Sequence, residues 1–294
     1  MTIKIFPFTP DFAAEIGEVD LAKPLSTEDR MAIEAAFWKY AVLVFPAQTL
    51  SSDQHVAFAS LFGPLEPNIN SYAEEVKKER IDNRVSDVSN LDHDNRILPA
   101  ESRKRQSGLA NRLWHTDSSF RHVPARASLL YSRQVAPIGG HTQFADMRAA
   151  WDALPAAMRA RIDGLVAEHS IFHSRASIGF TDYSERERAS LPGARQVLVR
   201  TLPENGRRAT YLASHVFRIV GMPDHEAAQL IEELMAHATQ SQFVHTHRWR
   251  ADDLVMWDNR CTMHRGTEYD ERRWKRDMHR ATVSDVGNTC EVLA

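Results

Sequence analysis

The sequence predicts an α+β protein with a mainly β core, a double-sheet barrel or sandwich with helices packed outside it. Three observations carry that expectation. From Asn111 onward, short apolar or alternating runs recur between turn signals, the pattern of many short strands. Helical periodicity interrupts those runs only twice. The 294 residues hold no internal repeat, low-complexity tract or linker, and barrels and sandwiches often run this long as one unit. Residues 1–294 therefore read as a single domain.

The first helix is expected after Ser26 or Thr27, either of which can cap, with Glu28 and Asp29 adding negative charge to its first turn. Met31, Ile33, Ala36, Phe37 and Tyr40 form its apolar stripe. Ala41–Phe45 (AVLVF) reads as a buried strand stopped by Pro46. A second helix is expected over Ser52–Phe62, with Gly63 as its stop. Residues 67–110 are polar, charge-rich and weakly periodic. So long a loop in a compact unit is usually functional, and it reads as a lid over a site, with Val85–Leu91 as a short strand. Further strands are expected at Ala127–Val135, Thr142–Phe144, Gln196–Thr201, Ala209–Ala213, Phe243–Trp249, Leu254–Asp258 and Arg276–Ser284. Pro203–Glu204–Asn205–Gly206 is a hairpin turn between two of them. The helical inserts are Ala149–His169 and Asp224–Thr239. Their stripes, Leu154–Leu165 and Leu230–Met235, suit core or subunit contact, and a homo-oligomer is expected.

Composition narrows the function. Lys plus Arg number 36 and Asp plus Glu 39, a formal charge of −3. Nothing in that balance draws the protein to nucleic acid or an anionic membrane, and neither is expected as a partner. The longest strongly apolar stretch, Tyr40–Ala47, falls far short of the roughly 18 residues a membrane span needs. The opening MTIKIFPFTP lacks a basic stretch followed by a long apolar one, so no secretory signal is expected and a cytoplasmic location is. Two cysteines, Cys261 and Cys290, exclude a disulfide scaffold and a cysteine-ligated zinc site. Fourteen histidines raise a metal or acid–base question.

Trp114–His115–Thr116–Asp117 is the first chemical signal. On a strand, residues two apart share a face. His115 and Asp117 would then offer two legs of a two-His-one-carboxylate site, which leaves three positions on an octahedral iron open. With 14 histidines and 39 acids, about one or two such spacings arise by chance, and a structural His–Asp pair is the alternative. The second signal is WDNRCTMHR, a strand-like run ending in a turn that presents His264 as a distant third ligand. The third is Arg276, which alternates with Met278, Arg280 and Thr282 along an expected strand. An arginine facing a closed cavity must be paired, and a small carboxylate is its natural bidentate partner. The alternative is a solvated strand edge, since Arg272, Arg273 and Lys275 lie alongside. His245-x-His247 is another same-face pair, without an evident carboxylate partner, and reads as packing within the barrel.

In order along the chain, WHTDSSF, GGHTQFADMRAAWDALP and WDNRCTMHRG make the sequence resemble the taurine/2,4-dichlorophenoxyacetate dioxygenase family. The likeness runs from GEVDLAKPL to HRATVSD, and DMRAAWDALP with DLVMWDNRC suggests the aryloxyalkanoate (phenoxyacetate) branch. The resemblance implies a double-stranded β-helix (jelly roll) with flanking helices, and an enzyme requiring Fe(II), 2-oxoglutarate and O2. It implies that His115, Asp117 and His264 hold the iron. Thr142 would hydrogen-bond 2-oxoglutarate, Arg276 would pair with its distal carboxylate, and Trp257 would wall its pocket. Arg273 and Lys275 remain alternatives to Arg276. Arg280 would hold a small anionic organic acid, with Ser89–Asn90, Asn111 and His215 as further lining. The implied reaction hydroxylates the carbon next to the carboxylate of an aryloxyacetate, giving a phenol and glyoxylate with succinate and CO2. An alkylsulfonate or sulfate ester dioxygenase is the alternative within the family. A non-catalytic jelly-roll metal binder is the alternative outside it.

Overall fold

Local chemistry sets the first elements. The Ser26 hydroxyl accepts from the Asp29 N–H at 3.0 Å and caps one helix; Ser51 and Gln54 form a reciprocal capping box at the start of the next. A computed structural model describes residues 3–67 and 80–291. Strands β1 (Lys4–Pro7) and β2 (Ala14–Gly17) precede helix α1 (Thr27–Tyr40), β3 (Val42–Phe45) and α2 (Ser52–Ser60). Next come β4 (Ser86–Asp87), α3 (Arg103–Gly108), β5 (Ala125–Gln134), β6 (Thr142–Asp146), α4 (Met147–Ala153) and α5 (Ala156–Ile162). β7 (Val166–His169), α6 (Ile171–Ala176), α7 (Glu185–Ser190), β8 (Ala194–Val197), β9 (Val199–Thr201), β10 (Arg208–Thr210) and β11 (Val216–Ile219) follow. The chain continues through α8 (Asp224–Ala238), β12 (Val244–His247), β13 (Leu254–Asp258), β14 (Thr262–Gly266) and β15 (Asp277–Ser284).

The large sheet has the order β1-β2-β3-β13-β5-β15-β4, and a smaller one has β12-β6-β14. All pairs are antiparallel except β2 with β3. Two further sheets, β11-β7-β8 and β9-β10, complete the strands among the described residues. Strand alternation divides the large sheet between two cores. Val42, Val44, Leu130, Val255, Trp257 and Met278 pack with Phe144, Ala145 and Met263 of the small sheet. Their neighbours Leu43, Phe45, Leu129, Leu254, Met256, Ala281 and Val283 pack against Ile33 and Phe37 of α1 and Phe58 of α2. Both faces are buried, so β3 and β13 read as continuous apolar runs rather than alternating ones. Fully burying one such side chain, Phe37 for example, stabilises by about 2–3 kcal/mol.

The α+β class with a mainly β core is as expected. Several boundaries differ, for physical reasons. The single helix expected over Ala149–His169 is two short helices and a strand: Pro155 starts a new helix after Leu154, and Gly164 takes a positive φ before β7. Ser52–Phe62 ends its helix at Ser60. Met31, placed in the apolar stripe of α1, is 64% exposed. Gln196–Thr201 divides at Leu198, where β8 on β7 gives way to β9 on β10. The expected hairpin is present, with Thr201 opposite Arg208. Within the expected lid, residues 68–79 lie outside the described residues. The rest is not an unstructured loop: it holds β4, shorter than the expected Val85–Leu91, and α3.

Candidate metal centre

His115 and Asp117 were expected on one strand. His115 instead forms an isolated bridge with His264 of β14, its N–H donating to the His264 carbonyl at 3.0 Å and the His264 N–H returning at 2.7 Å. The chain then turns, with Ser118 at φ 54°, and the turn rather than a pleat aims Asp117 at the two rings. One ligand atom from each of His115, Asp117 and His264 lies within 4.8 Å of the others, and all three residues are buried. Nε2 of His115 is 3.9 Å from Asp117 Oδ1, and Nε2 of His264 is 3.8 Å from Oδ2.

These atoms are held from behind. His115 Nδ1 is 2.8 Å from the Leu113 carbonyl, so Nδ1 carries the proton and Nε2 faces the site as a lone pair. Ser128 on β5 donates to Asp117 Oδ2 at 2.7 Å. Asn259, at the end of β13, accepts from the Asp117 N–H at 3.1 Å and from Trp257 Nε1 at 3.0 Å, and donates to Ser128 at 2.9 Å. Burial pushes both imidazoles below their ordinary pKa, His264 furthest, so they stay neutral. Burial opposes ionisation of Asp117, but the Arg280 guanidinium first, helped by the Ser128 hydrogen bond, outweighs it and holds the carboxyl at about 2. Two neutral imidazoles and one carboxylate make a donor set that fits a divalent first-row metal with open positions.

The ligand rings open onto a cavity of about 160 Å³. Of the residues expected around it, Ser89, Asn90, Asn111, Thr142, Trp257, Arg276 and Arg280 line this space. Arg276, just before β15, and Arg280, within it, face the same cavity, as the alternation predicted, and β15 lies inside the sheet between β5 and β4 rather than at a solvated edge. Arg276 donates through Nε to the Gly140 carbonyl at 3.3 Å, and its backbone N–H donates to Asn90 Oδ1 at 2.9 Å. Arg273 and Lys275 are exposed, and Lys275 borders a different cavity. Thr142 Oγ1 accepts from Trp249 Nε1 at 2.9 Å, which leaves its own hydroxyl proton to donate. Trp257 stands 4.6 Å from the His264 ring, centroid to centroid. Arg280 Nη1 is 2.5 Å from Asp117 Oδ1. His215 lies in an adjoining cavity together with Asn111, His115 and Arg280.

Sequence reasoning missed Ser128, Trp249 and the Leu113 carbonyl, none of which carries a motif. Asn259 stood inside the quoted WDNRC run without a role. His245 and His247 lie outside both cavities. The expectation that no carboxylate partners them is corrected: His247 Nε2 is 3.1 Å from Asp253 Oδ2, and His245 stacks on Phe8.

Known proteins carry the same architecture. The chain is 41% identical over 294 residues to the alpha-ketoglutarate-dependent 2,4-dichlorophenoxyacetate dioxygenase of Cupriavidus pinatubonensis, covering 97% of this chain and 99% of that one. It is 32% identical to the (S)-phenoxypropionate/alpha-ketoglutarate-dioxygenase of Sphingobium herbicidovorans, covering 96% and 95%. The crystal structure of AAD-2 in complex with Mn(II) and N-oxalylglycine superposes with a TM-score of 0.89 at 44% identity, covering 98% of this chain and 99% of that one. The model of the family described as taurine catabolism dioxygenase TauD, TfdA family, matches residues 4–282, and the chain belongs to that family.

Proposed function

We propose that the protein is an Fe(II)- and 2-oxoglutarate-dependent dioxygenase acting on aryloxyacetate-type acids. It hydroxylates the carbon between ether oxygen and carboxylate, and the hemiacetal formed collapses to a phenol and glyoxylate. The observation that carries this reading is the meeting of His115, Asp117 and His264 at the floor of a cavity whose wall holds Arg276. The long, full-length likeness to phenoxyacetate and phenoxypropionate dioxygenases supports the substrate class.

In this reading His115 Nε2, His264 Nε2 and an Asp117 oxygen hold the iron. The chemistry supplied by bound iron and 2-oxoglutarate is activation of dioxygen, with oxidative decarboxylation to succinate and CO2. The chain supplies position. Arg276, with only a long contact to Gly140 on its side chain among the described residues, receives the distal carboxylate of 2-oxoglutarate, and the Thr142 hydroxyl donates to the same ligand. Trp257 fixes the ring plane of His264 and excludes water from that side. Asn259 and Ser128 keep Asp117 ionised and aimed. Arg280 faces the organic acid, and Ser89, Asn111 and His215 line its approach.

The wider reading is one domain over residues 1–294, with 67–110 as its substrate lid. Two sheets sharing a core around the ligands support a double-stranded β-helix. No helix among the described residues is long and apolar enough to cross a membrane, which suits a cytoplasmic enzyme. Edge strand β1 exposes Phe6, with Phe8 just beyond it, which suits a homo-oligomer.

The test is anaerobic titration with Fe(II) and 2-oxoglutarate, following the weak visible charge-transfer band and its perturbation by 2,4-dichlorophenoxyacetate, then product analysis in air. Phenol and glyoxylate with stoichiometric succinate are expected. Sulfate or sulfite with an aldehyde, from an alkyl sulfate or sulfonate, would move the assignment to the sulfur-ester branch. Binding of iron and 2-oxoglutarate without oxygen consumption on any acid would make the protein a non-catalytic binder.

A further inference from the structure

Four guanidinium groups line the cavity that adjoins the metal ligands: Arg84, Arg121, Arg175 and Arg280. Three have carboxylate partners. Arg84 pairs with Asp82 and Asp53, Arg121 with Glu66 at 3.6 Å, and Arg280 with Asp117 at 2.5 Å. Arg175, on α6, makes no side-chain hydrogen bond or ion pair with any described residue. Burial works against its charge, and that charge is felt at His115, His215 and Asp117. A partly buried guanidinium with no carboxylate bonded to it among the described residues is costly to keep. An anion in the cavity removes that cost with charge-assisted hydrogen bonds.

The remaining walls say which anion. Phe120 and Ile171 present apolar surface in the same cavity, and Phe120 stands 5.0 Å from the His215 ring, edge to face. A flat apolar body joined to one carboxylate matches that mixture. α6 is itself braced: the Ser174 hydroxyl donates to the Ile171 carbonyl at 2.8 Å and so accepts from His215 Nδ1 at 2.8 Å.

We infer that Arg175 is the principal anchor for the carboxylate of the organic substrate, with Arg280, already shared with Asp117, in a supporting role. The inference rests on the dioxygenase reading above and adds a residue to it. The two guanidiniums come from different walls, one on α6 and one on β15, so one carboxylate accepts from both and its ring direction is fixed by the pair.

The experiment compares wild type, Arg175→Gln and Arg175→Lys by anaerobic titration of the Fe(II)–2-oxoglutarate band. The ligands are 2,4-dichlorophenoxyacetate and its neutral primary amide. Arg175→Gln is expected to weaken the acid by about tenfold or more, the value of a lost charged hydrogen bond, and to leave the amide and 2-oxoglutarate unchanged. Arg175→Lys, which keeps the charge, recovers part of the acid affinity. An unchanged preference for acid over amide in Arg175→Gln overturns the inference, as does an equal loss for both ligands, which is the mark of a merely structural residue. Band formation with 2-oxoglutarate in each variant shows that the metal site is intact. Wild type that forms the band yet responds to neither ligand would instead overturn the aryloxyacetate reading, and this inference with it.

Discussion

Asn259→Ala tests the support of the metal site in one step. Asn259 is fully buried and its amide joins Trp257, Asp117 and Ser128 through three hydrogen bonds of 2.9 to 3.1 Å. Truncation strands two buried donors, Trp257 Nε1 and the Asp117 N–H, at about 1–3 kcal/mol each. The cavity left by the amide adds to that, so a loss of about 3–5 kcal/mol is expected, a large part of the 5–15 kcal/mol typical of a whole domain. The Ser128 hydroxyl is also freed to rotate away from Asp117, and loss of such outer support typically costs about 10–100-fold in metal affinity. Urea denaturation measures the first quantity, and Mn(II) or Fe(II) titration of the folded variant at low temperature the second. Unchanged metal affinity in a destabilised Asn259→Ala would refute the argument, because Asn259 would then be packing and not aim. Ser128→Ala, which removes the 2.7 Å bond to Asp117 Oδ2 and the acceptor of the Asn259 amide, should lower metal affinity with a smaller stability loss.

Arg276→Ala should raise the 2-oxoglutarate requirement by about 10–100-fold, as expected for losing charged hydrogen bonds, with the KM for the organic acid little changed; the reverse pattern would mean the two arginines have exchanged roles. Burial holds His55 at about 4 against its ordinary 6.5, so the unfolded chain takes up this proton first as pH falls. His55 therefore contributes fully above pH 6.5 and its contribution drains away between about 6.5 and 4, at about 1.4 kcal/mol per pH unit. His55→Gln, which keeps a donor for the Leu129 carbonyl, should flatten that part of a pH–stability profile; an unaltered slope refutes the assignment. Gly139→Ala should destabilise by at least about 1–3 kcal/mol from the backbone conformation alone. Gly139 has φ +75°, and a Cβ there would meet the Glu268 carbonyl oxygen at 2.2 Å. The shift would reach Gly140, on which Arg276 rests, so 2-oxoglutarate affinity should fall too; an unchanged melting temperature would count against it.

How much the sequence disclosed depended on whether a residue's role is local. His115, Asp117 and His264 were legible because their neighbours, Trp114 and the WDN run, travel with them in the chain. Arg276 and Arg280 were legible because extended-chain parity alone places them on one side, and both do line one cavity although Arg276 stands one residue ahead of β15. The way Asp117 comes beside the two imidazoles was not legible: the chain leaves the bridge at His115 and turns, with Ser118 in the left-handed region, which a serine does not advertise. Ser128 lies eleven residues from Asp117 and meets it only through the pairing of β5 with β13. Arg175 looked like one arginine among many, because its lack of a hydrogen-bonded partner among the described residues is a property of the assembled cavity. The break at Pro155 was visible, but the apolar spacing from Leu154 to Leu165 imitated one continuous helix.

β15 works on two sides at once. Arg276, Met278, Arg280 and Thr282 look toward the ligands, while His279, Ala281 and Val283 look toward the helical layer. Variation can therefore be sorted by odd and even number. Among the even positions Met278 belongs to the inner core and Arg276 to the cosubstrate, so Arg280 and Thr282 are where variation samples ligand preference, whereas variation at Ala281 and Val283, packed on the helices, samples thermal tolerance. A single eight-residue ribbon thus carries ligand choice and stability on opposite sides.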